Sequence, residues 1–190
     1  MTQNIPHPNH RFDSLTINRL GLWLFIVSDA SFFLALLSSR FFVVGTSRPD
    51  DIIQSLGFFL TVILLVSSLT AYRAEAAASH DDRQGAMRNL IFTIVLGIVF
   101  LCGVGYEWWA AFQHPALWPS SAYGTVLFTL TGVHATHVVT GVLALLFVYF
   151  RTRKADSVAQ SQWAVEGAVK WWHFVDVAWV FIYPVLYLVG

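Results

Sequence analysis

Five stretches almost free of charge, 20–42, 52–72, 90–109, 126–150 and 171–189, alternate along the chain with polar clusters. Each approaches the ~20 residues that a helix rising ~1.5 Å per residue needs to cross ~30 Å of hydrocarbon. The pattern predicts an all-α fold, an integral membrane bundle of five transmembrane helices occupying 20–190 behind a polar leader at 1–19. The intervening polar stretches, 73–89 and 151–170, are too short for a separate soluble domain. The leader has prolines but no apolar core and no small-residue cleavage site, so it does not read as a secretory signal peptide.

Composition agrees with lipid as the solvent. Of 190 residues, 56% are hydrophobic and only 12% charged, and the mean hydropathy is +0.62. One soluble core cannot hide that much apolar surface. A net charge of zero gives no electrostatic case for nucleic acid, and no Gly-rich phosphate loop is present. The single cysteine, Cys102, lies in an apolar run, which excludes an internal disulfide and reads as a small packing residue.

Charge also orients the chain. Five crossings put Arg11, Arg19, Arg73, Arg83, Arg88, Arg151, Arg153, Lys154 and Lys170 on one side, leaving only Arg40 and Arg48 on the other. The positive-inside rule then predicts a cytoplasmic N-terminus and an exoplasmic C-terminus in a bacterial-type cytoplasmic membrane. The segment from Glu107 to Tyr123, rich in Trp and Tyr and free of Lys and Arg, fits an exoplasmic loop at an aromatic belt. Gly97, Gly103 and Gly105 on the third helix, with Thr131, Gly132 and Gly141 on the fourth, are expected to allow close packing.

Candidate chemistry is confined to a few polar groups within the spans: Asp29, His134, His137, His173 and Asp176, with Glu107 near the end of the third helix. A mid-membrane aspartate costs about 2.5–3.5 kcal/mol on insertion scales, so each of these should turn into the bundle. His134 and His137 share a helical face, as do His173 and Asp176, and such spacing raises the question of a metal. Counting ~1.5 Å per residue from the cytoplasmic ends places His173 roughly 3 Å deep, Asp176 about 8 Å, Asp29 about 14 Å, His137 about 20 Å, and His134 and Glu107 about 24–26 Å. Ligands sit ~2 Å from a metal, so the two His-bearing motifs are separate. Glu107 and His134, at similar depth, are expected to be able to pair. The expectation for the histidines is hydrogen bonding between helices, with no metal and no catalytic residue in this chain.

Several segments carry a resemblance. The ending "WWHFVDVAWVFIY", Trp171 to Tyr183, is similar to the last helix of subunit III of haem-copper terminal oxidases, the cytochrome c and quinol oxidase family. "GLWLFIVSDASFF" at Gly21, "LGIVFLCGVGYEW" at Leu96 and "YGTVLFTLTGVHATHVVTG" at Tyr123 follow the same family in order, with a weaker match, "LTVILLVSSLTAY", at Leu60. The chain resembles the short, five-helix form. The resemblance implies a non-catalytic subunit of an aerobic respiratory oxidase that packs on catalytic subunit I and meets other oxidase subunits. It implies haem and copper in the partner rather than here, bound phospholipid, support of proton uptake, and protection of the oxidase during turnover. It places Asp29 where the family has a buried, carbodiimide-reactive glutamate, and matches Glu107, the His134/His137 pair and the His173/Asp176 pair to family positions. Asp29 is one methylene shorter than that glutamate, and Val104 stands where many members have glutamine.

Three other readings remain at this point: an accessory subunit of a nitric oxide reductase, a small membrane metalloenzyme using Glu107, His134 and His137, and a proton-coupled carrier working through Asp29. His7, His10 and His80, on the predicted cytoplasmic side, are candidates for collecting protons, since an unperturbed imidazole titrates near pH ~6.5.

Overall fold

The computed structural model describes residues 13–49, 52–155 and 161–189. Five long helices make up nearly all of it: α1, Ser14–Val43; α2, Gln54–Ser79; α3, Arg83–Ala111; α4, Ala122–Lys154; and α5, Gln162–Tyr183. All five are long and apolar enough to cross a membrane. They run past the apolar stretches: α1 starts inside the polar leader, and the 73–89 stretch, expected as a loop, is helical except at its middle. There the backbone turns at Asp81, whose φ of 59° is left-handed, a conformation Asp tolerates better than most residues. Asp82 then caps α3 by accepting from the Gly85 amide at 2.9 Å.

α2 and α3 form a tight antiparallel hairpin, with Ala71, Ala74 and Ala78 of α2 and Ala86 of α3 wholly or almost wholly buried. Side chains this small let two backbones approach closely. α5 packs against α2, α4 and α1, and α1 lies outermost on α4 and α5. Burial follows that arrangement: within each helix's most apolar 18 residues, half of α5 is buried but only 17% of α1. α1 turns Ile26, Phe33, Leu37 and Arg40 inward and leaves Trp23, Leu24, Phe25, Phe32 and Leu34 exposed.

Trp172 of α5 sits at the centre. It is wholly buried, and a Cβ on Gly97 of α3 or Gly141 of α4 would stand 2.5 and 2.8 Å from its ring. Its indole N–H donates to Ser67 of α2 at 3.0 Å. One side chain thus joins four helices. A second indole, Trp179, repeats the link two turns on by donating to Thr61 of α2 at 3.0 Å. The expected small residues divide accordingly: Gly97, Gly103 and Gly141 accommodate Trp172 and Leu60, whereas Gly105 faces open space and Gly132 makes only ordinary contact with Trp108. Thr131 accepts the Trp108 indole N–H at 3.0 Å. Cys102, expected to be a packing residue, is exposed on the outer surface of α3, because that helix is apolar on every side and its inward face is not marked.

α5 ends by changing register. Pro184 has no N–H for the preceding turn, and the chain continues as a π turn over Pro184–Leu188, closed by Val189 N–H donating to Pro184 C=O at 3.0 Å. The carbonyls of this last turn are satisfied by side chains from elsewhere. Tyr123 O–H donates to Leu186 C=O, Arg48 and Gln54 donate to Tyr187 C=O at 2.6 and 3.1 Å, and Arg40 reaches Val189 C=O at 3.5 Å. Arg40 is wholly buried, donates also to the Gly45 and Ser47 carbonyls, and lies 5.1 Å from the Tyr123 ring centre. The two arginines that stand apart from the basic end of the bundle are therefore spent on capping.

Candidate functional site

The polar groups predicted from sequence fall into separate places. On the α1 side, Asp29 Oδ2 lies 3.0 Å from His137 Nε2 of α4, both about a fifth exposed. Oδ2 meets no aligned donor among the described residues, so the contact is one of proximity. The other His137 nitrogen, Nδ1, lies 2.7 Å from Val133 C=O in the same helix. The Phe33 and Trp171 rings flank the imidazole, with centres at 4.9 and 5.8 Å. This pair is one polar tie between the outermost helix and the rest of the bundle.

Beside it opens an apolar groove of about 600 Å³ between α1, α4 and α5, lined by Phe25, Thr136, His137, Thr140, Phe147 and Trp171 among others. Its shape and lining suit an acyl chain more than a polar metabolite.

His134, one turn from His137, points elsewhere. Residues three apart on a helix differ by about 60° in direction, and that is enough to send His134 into the core. It is wholly buried, ringed by Phe33, Phe100 and Trp179 with centres at 5.0 to 6.3 Å, and neither ring nitrogen has a hydrogen-bond partner among the described residues. Glu107 and His134, which their depths would allow to pair, do not. Glu107 instead accepts the hydroxyl hydrogen of Tyr187, a buried residue of the terminal π turn that sequence reasoning missed. Tyr187 lies beyond Pro184, where the change of helical register removes the spacing that would have identified it.

On α5, His173 Nδ1 lies 2.7 Å from Ser68 Oγ of α2. Asp176, one turn further, is buried beside the same Ser68. The hydrogen bond between helices expected of His173 is thus present, and the two indoles of Trp172 and Trp179 supply links not foreseen. Of the proposed proton-collecting histidines, His80 is exposed and turned back on its own helix end, with Nδ1 2.8 Å from Ala76 C=O; His7 and His10 lie outside the described residues.

A further ionic contact joins α1 to α5 at the basic end. Arg19 donates to both oxygens of Glu166, at 3.0 and 2.9 Å, and Lys170 donates to the same carboxylate.

The donor geometry does not suit a metal. Glu107 bonds Tyr187, His137 faces Asp29 and His134 is enclosed in aromatics, and among the described residues no three His, Cys, Asp or Glu side chains converge. The metalloenzyme built from Glu107, His134 and His137 is therefore not supported, because the three side chains point into different surroundings.

Comparison with known proteins agrees with the architecture. The family model for cytochrome c oxidase subunit III matches residues 5–190. Cytochrome c oxidase subunit 3 of Corynebacterium diphtheriae is 32% identical over 182 residues, 90% of this chain and 87% of the relative. That of Synechocystis is 30% identical over 189 residues, covering 96% and 79%, and that of the lancelet Branchiostoma lanceolatum is 32% identical over 184 residues, covering 90% and 69%. Neither the reductase nor the carrier reading finds support in these matches. A five-helix membrane bundle matched along nearly its whole length in this way belongs to the cytochrome c oxidase subunit III family.

Proposed function

We propose that this chain is the non-catalytic third subunit of an aerobic respiratory haem-copper oxidase, packing on the subunit that bears haem and copper, steadying it and supporting its proton uptake. The observation that carries this reading is the family match over residues 5–190. Two features of the bundle support it. The outermost helix, α1, and the outer faces of α2 and α3 expose large apolar side chains along their length, as suits burial in lipid and against partner helices. The groove beside Asp29 and His137 has the apolar lining an acyl chain requires, which supports phospholipid as a bound component. The basic end, carrying Arg73, Arg83, Arg88, Arg151, Arg153, Lys154 and Lys170, is assigned to the cytoplasmic side by the positive-inside rule.

The test is gentle solubilisation of the native membrane, capture of this chain and a reduced-minus-oxidised haem spectrum with identification of the co-purifying subunits. A stoichiometric haem-copper subunit is the expected result. A chain that runs alone while other respiratory complexes stay intact overturns the reading.

A further inference from the structure

At the end of the bundle opposite the basic loops, a cavity of about 20 Å³ lies between the start of α2, the end of α3, and α4. Ile53, Ala111, Leu117 and Leu127 give it apolar walls, and Glu107 and His114 are its polar side chains. A single water needs about 10–15 Å³ of such space and two to four polar partners, so the cavity matches one water molecule. Glu107 is only 6% exposed. Its Oε1 accepts from Tyr187, but its Oε2 has no hydrogen-bond partner among the described residues.

The charged and titratable groups around it are otherwise engaged. From α4, Tyr123 gives its hydroxyl hydrogen to Leu186 C=O. From α1 and the segment after it, Arg40 and Arg48 bind the carbonyls of Gly45, Ser47, Tyr187 and Val189. Among the described residues no cation forms a salt bridge with Glu107. An ionised carboxylate with one donor and no counter-charge is costly in so apolar a setting, whereas a neutral carboxylic acid needs only an acceptor for its O–H.

We propose that Glu107 is a neutral carboxylic acid that donates its Oε2 hydrogen to one water trapped in this cavity, forming a protonatable site that communicates with the surface past the exposed His114. The inference depends neither on the oxidase reading nor on the orientation of the chain in the membrane.

Infrared spectroscopy of the full chain in a lipid bilayer tests it, because the sequence has only three glutamates, Glu75, Glu107 and Glu166. With ¹³C-labelled glutamate, a protonated-carboxyl C=O band should shift with the label, move again in D₂O, and vanish in Glu107→Gln but persist in Glu75→Gln. Because the label reports on the unsubstituted chain, the test survives if Glu107→Gln does not fold. Filling the cavity with Ala111→Val should keep the band while slowing its deuterium exchange at least ten-fold. Glutamate signals confined to the ionised-carboxylate region at neutral pH would overturn the neutral acid; deuterium exchange unchanged in Ala111→Val would overturn the trapped water.

Discussion

Gly97→Ala isolates the packing of Trp172, the side chain on which four helices converge. The added Cβ would stand 2.5 Å from Trp172 Cη2 and 3.0 Å from Val142 Cγ2, so something must move. The indole has nowhere to retreat: it is wholly buried, its N–H is held by Ser67 at 3.0 Å, and on its other side a Gly141 Cβ position lies 2.8 Å from Cε3. Overpacking of this kind costs about 1–3 kcal/mol, against a helix-propensity gain for Ala over Gly of at most ~1 kcal/mol. We expect a net loss of roughly 1–2 kcal/mol. The assay is titration of the purified chain in mild-detergent micelles with a denaturing detergent, followed by far-ultraviolet circular dichroism. In a Trp172→Phe background the smaller ring should relieve the clash, so the two substitutions should couple by at least about 1 kcal/mol. Gly105→Ala, whose Cβ meets nothing within 4 Å, serves as the control and should stay within about 0.5 kcal/mol of the parent. Equal costs of Gly97→Ala with and without the indole would refute the reasoning, as would a Gly97→Ala chain as stable as the control.

Four further outcomes are expected in the same assay. His134→Leu should be neutral or stabilising, since it replaces a wholly buried imidazole without hydrogen-bond partners among the described residues by an apolar group of similar size; a loss above about 2 kcal/mol would reveal a partner for the ring. Arg40→Ala should cost about 1.5–3 kcal/mol, because its hydrogen bonds carry charge and cap carbonyls that no other described side chain reaches, whereas Arg19→Gln, which breaks an ion pair whose arginine is half exposed, should cost far less, and less still in high salt. Asp29→Ala and His137→Ala should each loosen α1, and the double variant should cost at least about 0.5 kcal/mol less than the sum, whereas strict additivity would show that the 3.0 Å contact contributes nothing.

The depth reckoning shows where reading by residue count stops working. It placed Asp29 and His137 about 6 Å apart because it began each helix at the edge of its apolar run. α1 actually begins at Ser14 and α4 ends at Lys154. Counted from there, Asp29 is 15 residues in and His137 is 17, so the mismatch shrinks to about 3 Å, within reach of the side chains. Glu107 and His134 were at matching depth and still do not pair, because equal depth says nothing about the direction in which each helix turns its side chains.

Hydropathy and length alone determined that this chain forms five membrane helices, since a backbone in hydrocarbon must satisfy its hydrogen bonds within the segment. Motif order along the same residues was enough to point to the family. Which side of each helix faces inward was left to tertiary packing, because lipid and protein interior are about equally apolar and α3 and α4 carry no polar stripe to set their rotation. Steric fit around Trp172 sets that rotation instead, and with it the enclosure of His134, the meeting of Asp29 with His137 and the exposure of Cys102. The Glu107–Tyr187 bond depends in addition on the π turn after Pro184, a change of register that no count of 3.6 residues per turn anticipates.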